Sequence, residues 1–139
     1  MPSYRKNKVE SIAHREPVFA QADETLQMVA HRMWVENVGA LVVGDAQRPL
    51  GIISERDVVS QIGQGEDLNV VTAEQVMTPY LVAARVGDTL DDAAYQMLEG
   101  VIRHVPLMDG EGRVVGMISV RDLLRPLLSD GPKGSADDH

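Results

Sequence analysis

Two stretches of this 139-residue chain carry the same seven-position pattern, Gly-x-Ile-Ser-x-Arg-Asp, and its residue types can bind a polar ligand. The glycine and polar positions are Gly51, Ser54, Arg56 and Asp57 in the first copy, and Gly116, Ser119, Arg121 and Asp122 in the second. The free amides at a helix start favour a phosphate, and a serine hydroxyl adds a hydrogen bond. A short carboxylate presents two acceptors in one plane, which suits the vicinal diol of a ribose.

The serine and the aspartate also have an explanation that needs no ligand. Ser followed three residues later by an acid fits a capping box, in which both side chains satisfy backbone amides at a helix N-terminus. Three features favour a ligand in addition to a cap. The acid is Asp both times although Glu reaches the N-cap amide more readily, a glycine stands three residues before each serine inside a strand, and an arginine precedes each aspartate. Both interpretations stay open.

The pattern belongs to a longer internal repeat. At an offset of 64 residues the coinciding identities are Glu10/Glu74, Val18/Val82, Ala20/Ala84, Thr25/Thr89, Leu26/Leu90, Ala30/Ala94 and Met33/Met97. After a one-residue adjustment in a loop the offset is 65, and the two patterns coincide. The identities recur in one order with a single gap, so the chain consists of two copies of one unit. A unit of roughly 60 residues is marginal alone, so we expect the copies to pack together.

Each copy predicts the element order β-α-β-β-α. Short apolar runs at residues 17–20 and 80–83 predict the first strands. Apolar residues at helical spacing predict the helices that follow, with Asp23 and Asp88 as N-caps. Trp34 closes the apolar stripe of the first helix, where we expect it to be packed, either in the core or at a dimer contact.

The second half of each copy predicts a hairpin and a helix. The hairpins join residues 40–43 to 50–53 and residues 104–108 to 114–118 through short polar turns. The last helices start at Ser54 and Ser119, and we expect Pro126 to end or bend the later one. The predicted organisation is an arm at 1–8, a first unit at 9–63, a linker at 64–72, a second unit at 73–128 and a disordered tail at 129–139. Two sheets covered by helices make this an α/β (α+β) fold.

Composition excludes several classes of protein. There is no cysteine, and the four histidines show no metal-binding spacing, so we expect no metal site. A formal net charge of −8 argues against nucleic-acid binding. No apolar run reaches the ~18 residues of a membrane span, and the N-terminus has no signal-peptide pattern, so we expect a cytoplasmic protein without membrane contact.

With these features the chain resembles a tandem pair of CBS domains, the Bateman module, over about residues 9–128. The resemblance rests on residues 51–58 and 116–123, supported by residues 23–26, 87–90 and 102–107. It implies two β-α-β-β-α units packed sheet to sheet around a pseudo-twofold axis, and pairing of two chains into a flat disc. It also implies regulatory binding of AMP, ADP or ATP in clefts between the units, with NAD or S-adenosylmethionine as further ligands.

The resemblance assigns roles to residues of both copies. The ribose would be held by Asp57 and Asp122, and the phosphate would lie beside Ser54 and Ser119. The base would be held by the first strands, around Val18, Ala20, Val82 and Ala84. Gly51, Arg56, Gly116 and Arg121 complete the candidate binding residues of the two signatures.

The copies differ in charge, so we expect unequal sites. Copy two has Arg103 and His104 entering its strand, where copy one has glycine and alanine. Arginine suits a phosphate because its planar fork bonds two oxygens. Glu55 follows Ser54 and would repel a phosphate there, whereas the matching Val120 is neutral. The second site is therefore the better one for a phosphorylated ligand. The alternative is that Arg103, like the signature arginines Arg56 and Arg121, only pairs with surface acids.

We therefore expect a non-catalytic regulatory or sensor module that binds an adenine nucleotide, forms a homodimer and acts on an effector protein. The alternative is a ligand-free interaction or dimerisation protein whose signatures serve only as helix caps. A small hydrolase using Asp57 or Asp122 has less support, because no histidine, metal set or second acid stands at a suitable spacing. No cofactor is expected to be required.

Overall fold

The structure, a computed structural model, describes residues 4–12, 15–79 and 82–128. The first unit consists of β1 (Phe19–Ala20), α1 (Leu26–Glu36), β2 (Ala40–Gly44), β3 (Pro49–Ser54) and α2 (Glu55–Gly63). The second unit consists of α3 (Ala73–Val76), β4 (Ala84–Arg85), α4 (Leu90–Gly100), β5 (His104–Met108), β6 (Val114–Ser119) and α5 (Val120–Leu128). Short 3-10 turns at Tyr4–Lys6 and Val9–Ser11 precede the first unit. The predicted β-α-β-β-α order is confirmed in both copies.

The two sheets have the same topology. In each, the first strand runs parallel to the second, and the second pairs antiparallel with the third. The register matches too: Ala20 lies opposite Val43, and Ala84 lies opposite Leu107. At the other end of the hairpins the pairs are Ala40 with Ser54 and His104 with Ser119. The repeat found by offset is therefore a repeat of strand register, with its one-residue adjustment inside the hairpin turn.

The sheets pack on each other, and the helices cover their outer faces. Alternate residues of β2 point to opposite sides, so Ala40 and Val42 face the other sheet while Leu41 and Val43 face the helices. The core between the sheets contains Ala40, Val42, Met108, Val114 and Met117. Each unit has a further aliphatic core between its sheet and its helices. The predicted sheet-to-sheet α/β (α+β) architecture is confirmed.

The predicted helix caps are wrong by one or two residues. The N-caps of α1 and α4 are Thr25 and Thr89, whose hydroxyls accept from the amides three residues later at 3.3 and 3.1 Å. Asp88 instead accepts from the Arg85 amide at 2.9 Å, and Asp23 lies on the exposed turn before α1. A threonine directly before the first helical turn reaches the free amides, which an aspartate further out does not.

The predicted first strand of copy two is also displaced. Residues 80 and 81 lie outside the described part of the chain, and Val82 and Ala83 precede the strand, which is Ala84–Arg85. Pairing with β5 decides the position, because Ala84 and Arg85 are the residues opposite Leu107 and Met108. A short apolar run indicates a strand but does not determine its register.

The prediction that Pro126 ends α5 is wrong, because the helix continues to Leu128; the alternative, a bend at Pro126, stays a prediction. Packing of Trp34 in the core is also wrong, because its side chain is 80% exposed, and so is its repeat counterpart Leu98 at 78%. A dimer contact of Trp34 stays a prediction. The predicted disordered tail falls outside the described residues. In the part of the chain that the structure describes, no helix is long and apolar enough to cross a membrane.

Candidate functional site

A cleft of ≈ 920 Å³ lies between the two units. The second unit contributes the start of β5, the end of β6 and the start of α5. The first unit contributes the segment before β1, the end of α1, the turn into β2 and the start of α2. The volume is within the range typical of small-molecule sites.

Asp122 lies at this cleft, on the first turn of α5, and is only 7% exposed. Its Oδ2 accepts hydrogen bonds from the Ser119 amide at 2.8 Å and from the Ser119 hydroxyl at 3.2 Å. The Ser119 hydroxyl in turn accepts from the Asp122 amide at 3.3 Å. The other carboxylate oxygen of Asp122, Oδ1, lies 3.3 Å from Nη1 of Arg125. A buried carboxylate is therefore held rigidly at the cleft, with one oxygen committed to the helix cap.

The first signature has the same local geometry at a different place. Asp57 Oδ2 accepts from the Ser54 amide at 2.8 Å and from its hydroxyl at 3.1 Å. Neither residue lines the cleft that Asp122 faces. The helix-cap explanation therefore holds for both copies, and Asp is long enough to reach the N-cap amide.

Two exposed arginines at the cleft, Arg103 and Arg121, have no ion-pair or hydrogen-bond partner for their side chains among the described residues. The other two arginines of the cleft are engaged, because Arg125 pairs with Asp122 and Arg15 donates to backbone carbonyls. Pairing of Arg103 and Arg121 with a surface acid is therefore not found within residues 4–12, 15–79 and 82–128.

His104 and Glu55 meet at Gly39, where the two units touch. A β-carbon on Gly39 would lie 2.9 Å from Cε1 of His104 and 3.0 Å from Oε1 of Glu55. Burial lowers the pKa of His104; Glu55 and Asp122 counteract that shift, and Arg103 adds to it. The imidazole is therefore neutral at pH 7.

The structure brings only some of the predicted binding residues to this cleft. Those that line it are Val18, Arg103, His104, Ser119, Arg121 and Asp122. Those that do not are Ala20, Gly51, Ser54, Arg56, Asp57, Val82, Ala84 and Gly116. The first group combines the second signature with the first strand region of the opposite unit.

Three of the predicted binding residues, Ala20, Gly51 and Ala84, pack against other parts of the chain. The buried Ala20 and Ala84 pair with the central strands of their sheets. A β-carbon on Gly51 would lie 2.3 Å from the carbonyl oxygen of Thr78. The Thr78 backbone donates to the Ile52 carbonyl at 2.9 Å and accepts from the Ile52 amide at 3.1 Å. The group that approaches this glycine is therefore the chain itself.

Sequence reasoning missed Arg15, which joins the two units at the cleft. Its backbone exchanges hydrogen bonds with Met117 of β6 at 3.0 and 3.2 Å. Its guanidinium donates to the carbonyls of Glu36 and Asn37, and Asn37 ends α1 in the left-handed region at φ 56. No sequence signal identifies this residue, because both contacts are set by tertiary packing. The same holds for Glu55, which the sequence associates only with Ser54 of its own signature.

Comparison with known families explains the two-unit architecture. The CBS domain family matches residues 9–64 and again residues 73–129. The chain belongs to the CBS-domain proteins and carries the domain as a tandem pair.

Similar proteins occur in archaea. The chain is 34% identical over 122 residues to a 17.7 kDa protein encoded in the bps2 3' region of Acidianus ambivalens, covering 87% of this chain and 73% of that protein. It is 28% identical over 123 residues to protein MK0525 of Methanopyrus kandleri, covering 87% of this chain. It spans only 63% of the length of MK0525.

Two similar solved structures contain ligands. One is the CBS domain protein PAE2072 from Pyrobaculum aerophilum complexed with AMP, with a TM-score of 0.76 and 28% identity, covering 83% of this chain and 88% of that chain. The other is the CBS domain pair of MJ0100 in complex with 5'-methylthioadenosine and S-adenosyl-L-methionine. It has a TM-score of 0.78 and 25% identity, and covers 88% of this chain and 96% of that chain.

Proposed function

We propose that this chain is a non-catalytic regulatory module that binds an adenine nucleotide in the cleft at Asp122 and signals to another protein. The observation that carries the proposal is a buried carboxylate at a helix start, facing a cleft that also contains two arginines without a side-chain partner in the part of the chain that the structure describes. A deep apolar cleft with a few convergent polar groups is the usual form of a small-molecule site.

The polar groups suit the parts of a nucleotide. A carboxylate has about four acceptor positions, so Asp122 can accept from a ribose diol while its cap hydrogen bonds persist. The phosphate would lie at Ser119, within reach of the guanidinium groups of Arg103 and Arg121. The base would lie against the apolar wall formed by the first unit, at Val18, Met33 and Val58. The bound ligands of PAE2072 and MJ0100 support an adenosine-type ligand for this chain.

A thermal-shift panel with AMP, ADP, ATP, NAD and S-adenosylmethionine tests the proposal. A ligand present at 100 times its Kd stabilises the folded state by about 2.7 kcal/mol and raises Tm. Asp122→Asn should abolish the shift, because the amide keeps an acceptor for Ser119 but loses the charge and one ribose acceptor. Asp57→Asn is the matched control, since it makes the same change in the other signature. If no ligand raises Tm, or if both variants respond like the unaltered chain, the proposal fails.

We propose that the module is a homodimer formed through its helices. Exposed apolar residues recur at equivalent positions of the two helix pairs, namely Trp34, Val59 and Ile62 on α1 and α2, and Leu98, Leu124 and Leu127 on α4 and α5. Two apolar faces related by the internal pseudo-twofold suit a second copy, since a twofold interface pairs equivalent patches.

A ligand-free interaction protein is the alternative that one observation favours. In both signatures the aspartate accepts a hydrogen bond from the serine amide at its own helix start, at 2.8 Å, which is a role that needs no ligand. In that case the helix faces carry the function, and the thermal-shift panel gives no response.

A further inference from the structure

The groups that face the cleft from Asp122 outward follow a defined order. Asp122 is hydrogen-bonded to Ser119, and Ser119 lies opposite His104 in the β5–β6 pair. The His104 ring and the Glu55 carboxylate then meet at the α-carbon of Gly39. A phosphate chain that leaves a ribose at Asp122, passes Ser119 and continues toward Gly39 would approach His104 and Glu55.

The charges along this path change sign. Near Ser119 lie Arg103, whose carbonyl accepts from the Val120 amide at 2.8 Å, and Arg121, the residue after Val120; neither guanidinium has a partner among the described residues. At the far end stands Glu55, an exposed carboxylate with no ion-pair partner among the described residues. The neighbouring imidazole of His104 is neutral at pH 7 and does not compensate that charge. A second acid, Glu16, also lines the cleft.

We infer that Glu55 sets the charge limit of the ligand in the Asp122 cleft, so that a nucleoside monophosphate binds in preference to the corresponding triphosphate. The inference rests on the proposed function and deepens it, because it specifies how many phosphates the site accepts. It also assigns a specificity role across the unit boundary, since Glu55 belongs to the first unit and the cleft's carboxylate to the second.

Electrostatics gives the physical reason. The two unpaired arginines neutralise the double charge of one phosphate group. A triphosphate brings about two further negative charges, and these would extend toward the uncompensated carboxylate of Glu55. Like charges brought together in a partly desolvated cleft repel, and such juxtaposition is a common device for rejecting the wrong ligand. The cleft volume of ≈ 920 Å³ does not itself exclude a triphosphate, so charge rather than size is the discriminating quantity.

The test is calorimetric titration of the full chain with AMP and ATP at constant ionic strength, without divalent cations. We expect AMP to bind about tenfold more tightly than ATP, a difference of about 1.4 kcal/mol. Glu55→Gln should raise the affinity for ATP several-fold and that for AMP by a smaller factor, so that the ratio of the two affinities falls. Glu66→Gln is the matched control, because it removes the same charge from an exposed position outside the cleft. The Glu66→Gln variant should leave the ratio of the AMP affinity to the ATP affinity unchanged.

The outcomes separate this inference from the proposed function. If AMP and ATP bind equally well, or if Glu55→Gln does not narrow their ratio, the role of Glu55 is overturned while nucleotide binding stands. If Glu66→Gln narrows the ratio as much as Glu55→Gln, only the net charge of the protein matters, and the assignment to Glu55 is again overturned. If neither nucleotide binds, the proposed function fails, and the inference falls with it.

Discussion

The imidazole of His104 lies against the α-carbon of Gly39, and a β-carbon at that position would come within 2.9 Å of Cε1 of the ring. The two residues belong to different units. The Gly39 carbonyl also accepts from the Glu55 amide at 3.0 Å, so the same residue positions the start of α2. This contact holds the wall of the cleft together where the two units meet.

Gly39→Ala should therefore disturb both the fold and the cleft. The added methyl group would displace His104 and Glu55, and overpacking of this kind costs about 1 to 3 kcal/mol in free energy of unfolding. Urea denaturation measures the loss. Gly63→Ala is the control, because no described atom lies within 4 Å of its β-carbon and alanine favours the helix. Equal stability of Gly39→Ala and the unaltered chain would contradict the contact.

Gly51→Ala should be more damaging than Gly39→Ala. Its β-carbon would lie 2.3 Å from the carbonyl oxygen of Thr78. This backbone is hydrogen-bonded to Ile52 through both its amide and its carbonyl, so it moves less easily than a side-chain end. We expect a loss of about 3 kcal/mol or failure to fold, measured by denaturation and by soluble yield. Gly110→Ala, in the open turn between β5 and β6, should be neutral. A stable Gly51→Ala protein would show that the segment at Thr78 is not held as described.

Helix α1 should depend on Thr25 and not on Asp23. Thr25→Ala removes the acceptor for the Met28 amide, and loss of such a cap costs about 1 kcal/mol. Asp23→Ala should change the free energy of unfolding by less than about 0.5 kcal/mol, because this exposed residue is not the cap. If urea denaturation showed a larger loss of stability for Asp23→Ala than for Thr25→Ala, Asp23 would be the cap, as predicted from the sequence.

Stability should fall as the pH drops below about 6.5, the ordinary pKa of histidine. Burial lowers the pKa of His104 in the folded protein, so the unfolded chain takes up a proton first as the pH falls. The contribution of His104 to the free energy of unfolding is complete above pH 6.5. It decreases as the pH falls from 6.5 to the lowered pKa of His104 in the folded protein. Denaturation at pH 7.5 and 5.5 should show a smaller loss for His104→Gln than for the unaltered chain. The exposed His31→Gln serves as the control, and identical losses in both variants would remove His104 from the effect.

The chain should be dimeric in solution, and Leu98→Glu should make it monomeric. A charge on the exposed apolar face of α4 would have to be buried without a partner in the dimer. Sedimentation velocity at micromolar concentration distinguishes the two states. Val70→Glu places the same charge at an exposed apolar position of the linker and should leave the dimer intact. A dimeric Leu98→Glu protein would move the interface elsewhere.

The amino-acid sequence by itself determined the duplication, the element order and the cap-forming signatures. The duplication is visible as a constant offset of 64 to 65 residues. The element order and the signatures depend on short-range spacing: 3.6-residue periodicity for α1 and α4, apolar runs for the hairpins, and the three-residue step from Ser119 to Asp122. Local errors occurred where a neighbouring element decides the position, as with β4, whose residues are chosen by pairing with β5.

Only the tertiary structure decided how the two copies form one cleft. The cleft joins Asp122 of one unit to Val18 and Glu55 of the other, and it leaves Asp57 outside. In the sequence Glu55 is a neighbour of Ser54. In the structure its carboxylate lies beside Gly39 together with the ring of His104, which is 49 positions further along the chain. Contacts of this kind arise from packing one sheet on the other. Side chains distant in sequence then share a cleft, and no periodicity or spacing along the chain encodes which of them will meet.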